Sequence, residues 1–316
     1  LVSAFDAGSG SAIWRKDLEP EDEDEGFFGG GLAVSGGKVF VTTGFARVFA
    51  LDAGSGNVIW EGAVPAPMRA APTVADGRVF VVTLDNSVYA FNAEDGQELW
   101  QHVGFQELAG LVGAASPAVS GSTVIAPYSS GEIFALLAEN GRELWSDNLA
   151  TRNRTDQSSD LADIRALPVI DGERVIAISH SGRMAALDLR RGLRAWDIKL
   201  GGKQMPWVAG DFIYAVTKEA QLVAVTRNQG RVRWVRNLDR WEDPEDREDP
   251  ISWVGPVLAG DRLIVASSTG QALTVSPYDG EILGSTQLPG PVAVAPSVAN
   301  GVLYIVTDGG ELAALR

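Results

Sequence analysis

One short pattern recurs along the chain and constrains it more than any other feature. It consists of a small residue, an Asp or Asn two positions later, then a Gly, then a Trp. The copies read Ala4-Phe5-Asp6…Gly10…Trp14, Ala50-Leu51-Asp52…Gly56…Trp60, Ala90-Phe91-Asn92…Gly96…Trp100 and Ala186-Leu187-Asp188…Gly192…Trp196. Two more, Ala135…Gly141…Trp145 and Ala224…Gly230…Trp234, keep the small residue, the Gly and the Trp. A seventh, Thr274…Ser276…Gly280…Gly284, has lost the Trp. Successive Trp residues of this pattern stand 38 to 51 positions apart, the length of one four-stranded blade of a β-propeller.

Upstream of each copy lies a strand, a Gly-containing turn and a second strand, as in Pro72–Phe80, Pro256–Ile264 and Pro296–Tyr304. Short β-branched and aromatic runs broken in this way are hairpin signals. No useful window keeps the i, i+3, i+4, i+7 apolar spacing of a helix. In each copy the Gly suits a turn needing positive φ. Asp6, Asp52, Asn92 and Asp188 can accept the turn N–H groups. Trp14, Trp60, Trp100, Trp145, Trp196 and Trp234 each supply a flat surface to bury between neighbouring blades, with an indole N–H that needs an acceptor. These residues are assigned to structure.

The expected fold is therefore all-β, a single propeller domain over residues 1–316. Its units lie near 1–14 (a partial blade), 31–60, 70–100, 115–145, 165–196, 205–234, 254–284 and 294–316. Eight four-stranded blades are expected, a count that needs residues ahead of Leu1 to complete the first and last. Seven blades, closed by pairing 294–310 with 1–14, is the alternative.

The balance of 26 basic against 41 acidic residues gives a net charge of −15. Such a surface repels phosphate backbones and anionic lipid head groups, which argues against nucleic acid as a partner. The absence of cysteine excludes disulfides, thiolate catalysis and cysteine–zinc sites. No apolar run reaches the ~18–20 residues that span a bilayer.

The repeat resembles that of pyrroloquinoline-quinone-type propellers rather than the WD repeat, since only Trp196-Asp197 gives a Trp-Asp pair. Within that group, Ser159-Asp160-Leu161-Ala162-Asp163-Ile164-Arg165-Ala166-Leu167-Pro168-Val169 and the run from Gly182 to Trp196 resemble the outer-membrane protein assembly factor family, BamB. Blade order, a polar linker at 146–164 and a short sixth blade extend the resemblance over essentially the whole chain. It implies a periplasmic lipoprotein at the outer membrane, tethered through an N-terminal lipidated Cys that this chain lacks. It also implies a non-catalytic scaffold without cofactor or metal. The implied partners are the POTRA domains of BamA, with nascent outer-membrane proteins as a further one. Two family binding loops, Leu-x-Leu-Arg and Asp-x-Asp, fall here on Ala109-Gly110-Leu111-Val112 and Asp163-Ile164-Arg165, where only Leu111 and Asp163 match. Leu111, Val112, Asp163 and Arg165 are thus the partner-binding candidates that the resemblance implies.

Two histidines could serve catalysis. His180 occupies a turn slot that other units fill with Asp85-Asn86, Ser129-Ser130, Lys218-Glu219 and Asp308-Gly309, a variety that fits a turn residue. His102 follows Trp100 with no Ser-Asp pairing in view and reads as a solvated or core-edge residue rather than a general base. Two acidic runs, Glu19–Glu25 and Glu242–Asp249, lack the spacing of a calcium loop. Each is expected as a solvated loop, or as a docking surface given the neighbouring Phe27, Phe28 and Trp241. The polar stretch Ala150–Asp160 reads equally as a flexible loop or a partner contact. A quinoprotein dehydrogenase is a second reading, weakened because its common vicinal disulfide is impossible here. Another periplasmic adaptor or sensor propeller is a third.

Overall fold

The structure, a computed structural model, describes residues 1–20, 30–105, 115–150 and 164–316. The chain divides into two compact units, Leu1–Asn148 with Leu161–Arg165, and Leu149–Asp160 with Ala166–Arg316.

The first unit holds a hairpin, Val2–Phe5 with Ala12–Lys16, and three four-stranded antiparallel sheets. These are Leu32–Ser35, Lys38–Thr42, Arg47–Asp52 and Val58–Ala63; Thr73–Ala75, Arg78–Val82, Ser87–Asn92 and Glu98–Val103; and Ala118–Ser120, Thr123–Pro127, Glu132–Leu137 and Glu143–Asn148. In the second unit the four-stranded sheets are Val169–Asp171, Arg174–Ile178, Arg183–Asp188 and Arg194–Lys199; Trp207–Ala209, Phe212–Val216, Gln221–Thr226 and Val232–Asn237; and Trp253–Ala259, Arg262–Ser267, Gln271–Val275 and Ile282–Gln287. A three-stranded sheet follows, Ser297–Ala299, Val302–Val306 and Leu312–Leu315.

Strand order within each sheet follows the chain, so every sheet is a meander. The middle strands are buried on both faces and read as near-continuous apolar runs, as in Arg78-Val79-Phe80-Val81-Val82. The fourth strands alternate, and in Val58–Ala63, Glu98–Val103, Glu143–Asn148 and Arg194–Lys199 the Trp is the buried residue.

The packing explains each position of the repeat. The small residue lies directly opposite the Trp across the third and fourth strands: Ala50↔Trp60, Ala135↔Trp145, Ala186↔Trp196 and Ala224↔Trp234. The indole then reaches the next sheet and donates to a backbone carbonyl there. Trp14 Nε1 bonds Ala53 O at 2.9 Å, Trp60 bonds Ala93 O at 3.1 Å, Trp100 bonds Ala138 O at 3.0 Å, Trp196 bonds Arg227 O at 2.9 Å and Trp234 bonds Pro277 O at 3.0 Å. The repeat Gly of that next sheet lies flat under the indole: a Cβ added at Gly56, Gly96, Gly141, Gly230 or Gly280 would stand 2.6 Å from a Trp ring atom. The turn carboxylates behave as expected. Asp52 Oδ1 accepts Ser55 N at 2.8 Å and Ser55 Oγ at 2.7 Å, which holds its carboxyl below its ordinary value.

Two expectations are corrected. Among the described residues six sheets of four strands and one of three make seven blades, the count of the alternative, and the expected eight is not found there. The count of eight treated residues 1–14 as half of a further blade; here Val2–Phe5 and Ala12–Lys16 form a sheet of two strands, each with the other as its partner. The acidic run Glu242–Asp249, expected as a loop, sits on a short hairpin in which Trp241 pairs with Pro250 and Asp243 with Glu248. Asp243 Oδ1 closes its turn by accepting Glu245 N and Asp246 N, and Arg240 lies over the Trp241 ring at 5.3 Å. Of the other acidic run only Glu19 and Pro20 are among the described residues.

Candidate partner-binding site

The turns joining second to third strands follow a rule that one turn breaks. Their first residue is Thr43, Thr83, Ser179, Thr217, Ser267 or Thr307, and in the third sheet Tyr128. The hydroxyl of Thr43, Ser179, Thr217, Ser267 and Thr307 accepts the N–H four residues on, at 3.1–3.3 Å, a local bond that fixes the turn. Tyr128 keeps the backbone part of this turn, its N–H donating to Glu132 O at 2.9 Å. Its phenol instead runs inward, buried to 1% exposure.

A second departure makes room for it. The residue four after the Trp is aliphatic at Leu18, Val64, Leu149, Leu200 and Leu238, and Leu288 holds the same slot after Gly284, but it is Gly104 after Trp100. A Cβ at 104 would stand 2.6 Å from Tyr128 Cδ2 and Cε2. The Tyr128 ring thus takes the space an aliphatic side chain holds elsewhere. His102 stacks parallel to it at 6.1 Å and 4°, with Nδ1 hydrogen-bonded to Tyr128 Oη at 2.8 Å. Phe134 packs on both rings. Burial pushes the Tyr128 hydroxyl far above its ordinary range, so it stays protonated. Burial also pulls His102 below 6.5, against the weaker opposing pull of Glu143 and Glu132.

The third departure is Asn86. At the equivalent, positive-φ position the other turns carry Ala46, Gly131, Gly182, Ala220, Gly270 and Gly310. Asn86 is buried, and its amide bridges two elements. Nδ2 donates to Phe105 O at 2.6 Å, while Oδ1 accepts Ser129 N at 3.0 Å and Ser129 Oγ at 2.8 Å. Its own carbonyl accepts Gly104 N at 2.8 Å.

These residues bear directly on the candidates from the sequence. Leu111, Val112 and Asp163 lie outside the described residues, as do Phe27 and Phe28; Arg165 is described and half-buried. The backbone flanking the two candidate segments is what the structure brings together. Gly104-Phe105, leading to 106–114, packs on the Tyr128 ring and on Asn86. Ile164, between Asp163 and Arg165, is buried and donates its N–H to Tyr128 O at 3.3 Å. His102 is core-edge, as expected, and His180 lies in its turn. The Tyr128–Gly104–Asn86 set was not singled out from the sequence. Its signal is three breaks in the slot pattern, visible once the turns are aligned.

Among the described residues no group of three or more His, Cys, Asp or Glu is placed to hold a metal ion. The arrangement is one of buried polar bonds and stacked rings that fix backbone, and what it can do is hold two chain segments in place.

The sequence model described as "Outer membrane protein assembly factor BamB" matches residues 1–236 and 239–316. The chain belongs to the BamB family. It is 30% identical to BamB of Salmonella typhimurium over 322 residues, covering 100% of this chain and 79% of that protein. BamB of Moranella endobia is 24% identical, again over the whole chain and 80% of its own length. Among solved structures, BamB from Moraxella catarrhalis superposes with a TM-score of 0.81 at 21% identity, covering 99% of this chain and 87% of that one. This likeness shows the fold, a β-propeller of four-stranded blades. Quinohemoprotein alcohol dehydrogenase from Comamonas testosteroni shares that fold more distantly, with a TM-score of 0.58 at 14% identity over 88% of this chain and 70% of that one.

Proposed function

We propose that this BamB-family chain is a non-catalytic scaffold on the periplasmic side of the outer membrane, lipid-anchored there in its full-length form. Residues 1–316 act in it as a single propeller domain that binds the POTRA region of BamA and assists insertion of outer-membrane proteins. The contacts are assigned to 106–114, through Leu111 and Val112, and to 163–165, through Asp163 and Arg165. The observation that carries this reading is Tyr128, which is bonded or packed to the backbone beside both segments. Rigid framework beneath functional segments is the usual arrangement in binding proteins.

The test is calorimetry of the full chain with the POTRA region encoded by the same genome. Binding at about micromolar Kd or tighter is expected, with a loss of tenfold or more in the double variant Leu111→Asp, Asp163→Arg. Absence of binding by the folded wild-type chain rejects the partner. Unchanged affinity in the double variant rejects the contacts.

A further inference from the structure

The three departures described above meet at one place. Tyr128 replaces a Ser or Thr, Gly104 vacates the space the ring needs, and Asn86 ties Ser129, beside Tyr128, to Phe105. Each partner lies far along the sequence from the other: Asn86 reaches 19 residues to Phe105 and 43 to Ser129. The bonds are buried or half-buried, so breaking one strands a polar group rather than handing it to water. In five other turns the fixing bond joins a hydroxyl and a backbone amide four residues apart and holds the turn alone.

We infer that Asn86 and Tyr128 are positioning residues that couple the two flanking segments, so that Phe105 and Ile164 are held or released together. This rests on the reading that 106–114 and 163–165 bind a partner. In that setting the coupling fixes the backbone at Phe105 and Ile164, beside the two segments, before a partner arrives, so that less is left to order on association. The route is contiguous: Phe105 O to Asn86 Nδ2, Asn86 Oδ1 to Ser129, and Tyr128 O to Ile164 N–H.

The experiment is residue-resolved amide hydrogen exchange on the full chain. In Asn86→Gly the positive φ remains accessible while the side-chain amide is lost. Exchange at Ile164 is expected to rise about tenfold along with that at Ser129, although Asn86 makes no bond to Ile164. Amides of the strand Val58–Ala63 are expected to stay unchanged, which separates local release from general unfolding. A second variant, Tyr128→Thr with Gly104→Leu, restores the residue types of the other sheets and is expected to fold while speeding exchange at Ile164. A rise at Ser129 with Ile164 unchanged overturns the coupling, as does an Ile164 amide already unprotected in the wild type. Failure of POTRA binding would reject the functional reading and leave the exchange result to decide the coupling.

Discussion

Trp60 lies flat on Gly96 of the next sheet, so close that a Cβ at 96 would stand 2.6 Å from the indole Cδ2 and Cε3. Gly96 also has a φ of 73°. The position thus excludes larger residues for two separate reasons. Gly77, with a φ of 71°, has nothing within 4 Å of an added Cβ. Gly77→Ala is expected to cost about 1–2 kcal/mol for the left-handed backbone. Gly96→Ala is expected to cost about 1–3 kcal/mol more for overpacking. Denaturant midpoints of the two variants measure the difference, and equal costs would remove the steric half of the explanation.

Trp residues are expected to differ by burial. Trp60 is 7% exposed and bonded to Ala93 O, and Trp60→Ala should cost about 3–5 kcal/mol. Trp14 makes the same kind of bond to Ala53 O but is half-buried on a two-stranded sheet. Trp14→Ala should cost clearly less, and thermal unfolding of the pair tests the order.

His102 supplies a pH dependence. Burial holds its folded-state pKa below the ordinary 6.5, so the unfolded chain binds its proton more readily. The contribution is fully present above about pH 6.5 and declines as pH falls below it towards the folded-state pKa. Denaturant midpoints at about pH 7.5 and about pH 5.5 should therefore diverge more in the wild type than in His102→Gln. Equal divergence would mean that some other group sets the slope.

The acidic hairpin offers a test by neutralisation. Glu242, Glu245 and Glu248 are exposed, and changing all three to Gln should alter stability by less than about 0.5 kcal/mol per site. POTRA affinity should be unchanged if the contacts lie at 106–114 and 163–165. A loss of affinity would instead place docking on Trp241–Pro250.

Much of the fold was legible because each repeat position answers a local need. The Asp caps its own turn, the small residue faces the Trp, and the Gly receives an indole, so spacing alone exposes the blade. The blade count was harder. Residues 1–14 carry the full motif, yet a motif does not say how many strands pair beside it. The hairpin at 241–250 was missed because prolines and six carboxylates lack strand propensity, and what closes it is the turn at Asp243. At the candidate site the contacts join residues 18 to 43 positions apart, beyond any local pattern. Only the oddity of Tyr128, Gly104 and Asn86 in their slots was open to view.

The indole–glycine contact also has a meaning for how such a chain can change length. Gly56, Gly96, Gly141, Gly230 and Gly280 each receive the Trp of the preceding sheet, so a unit of that kind duplicated in tandem arrives already fitted to its neighbours. The series ends at Gly284, which has no indole to offer. Whole-repeat gains and losses are therefore cheapest ahead of that point, and a chimera built by splicing units there should fold more readily than one spliced behind it.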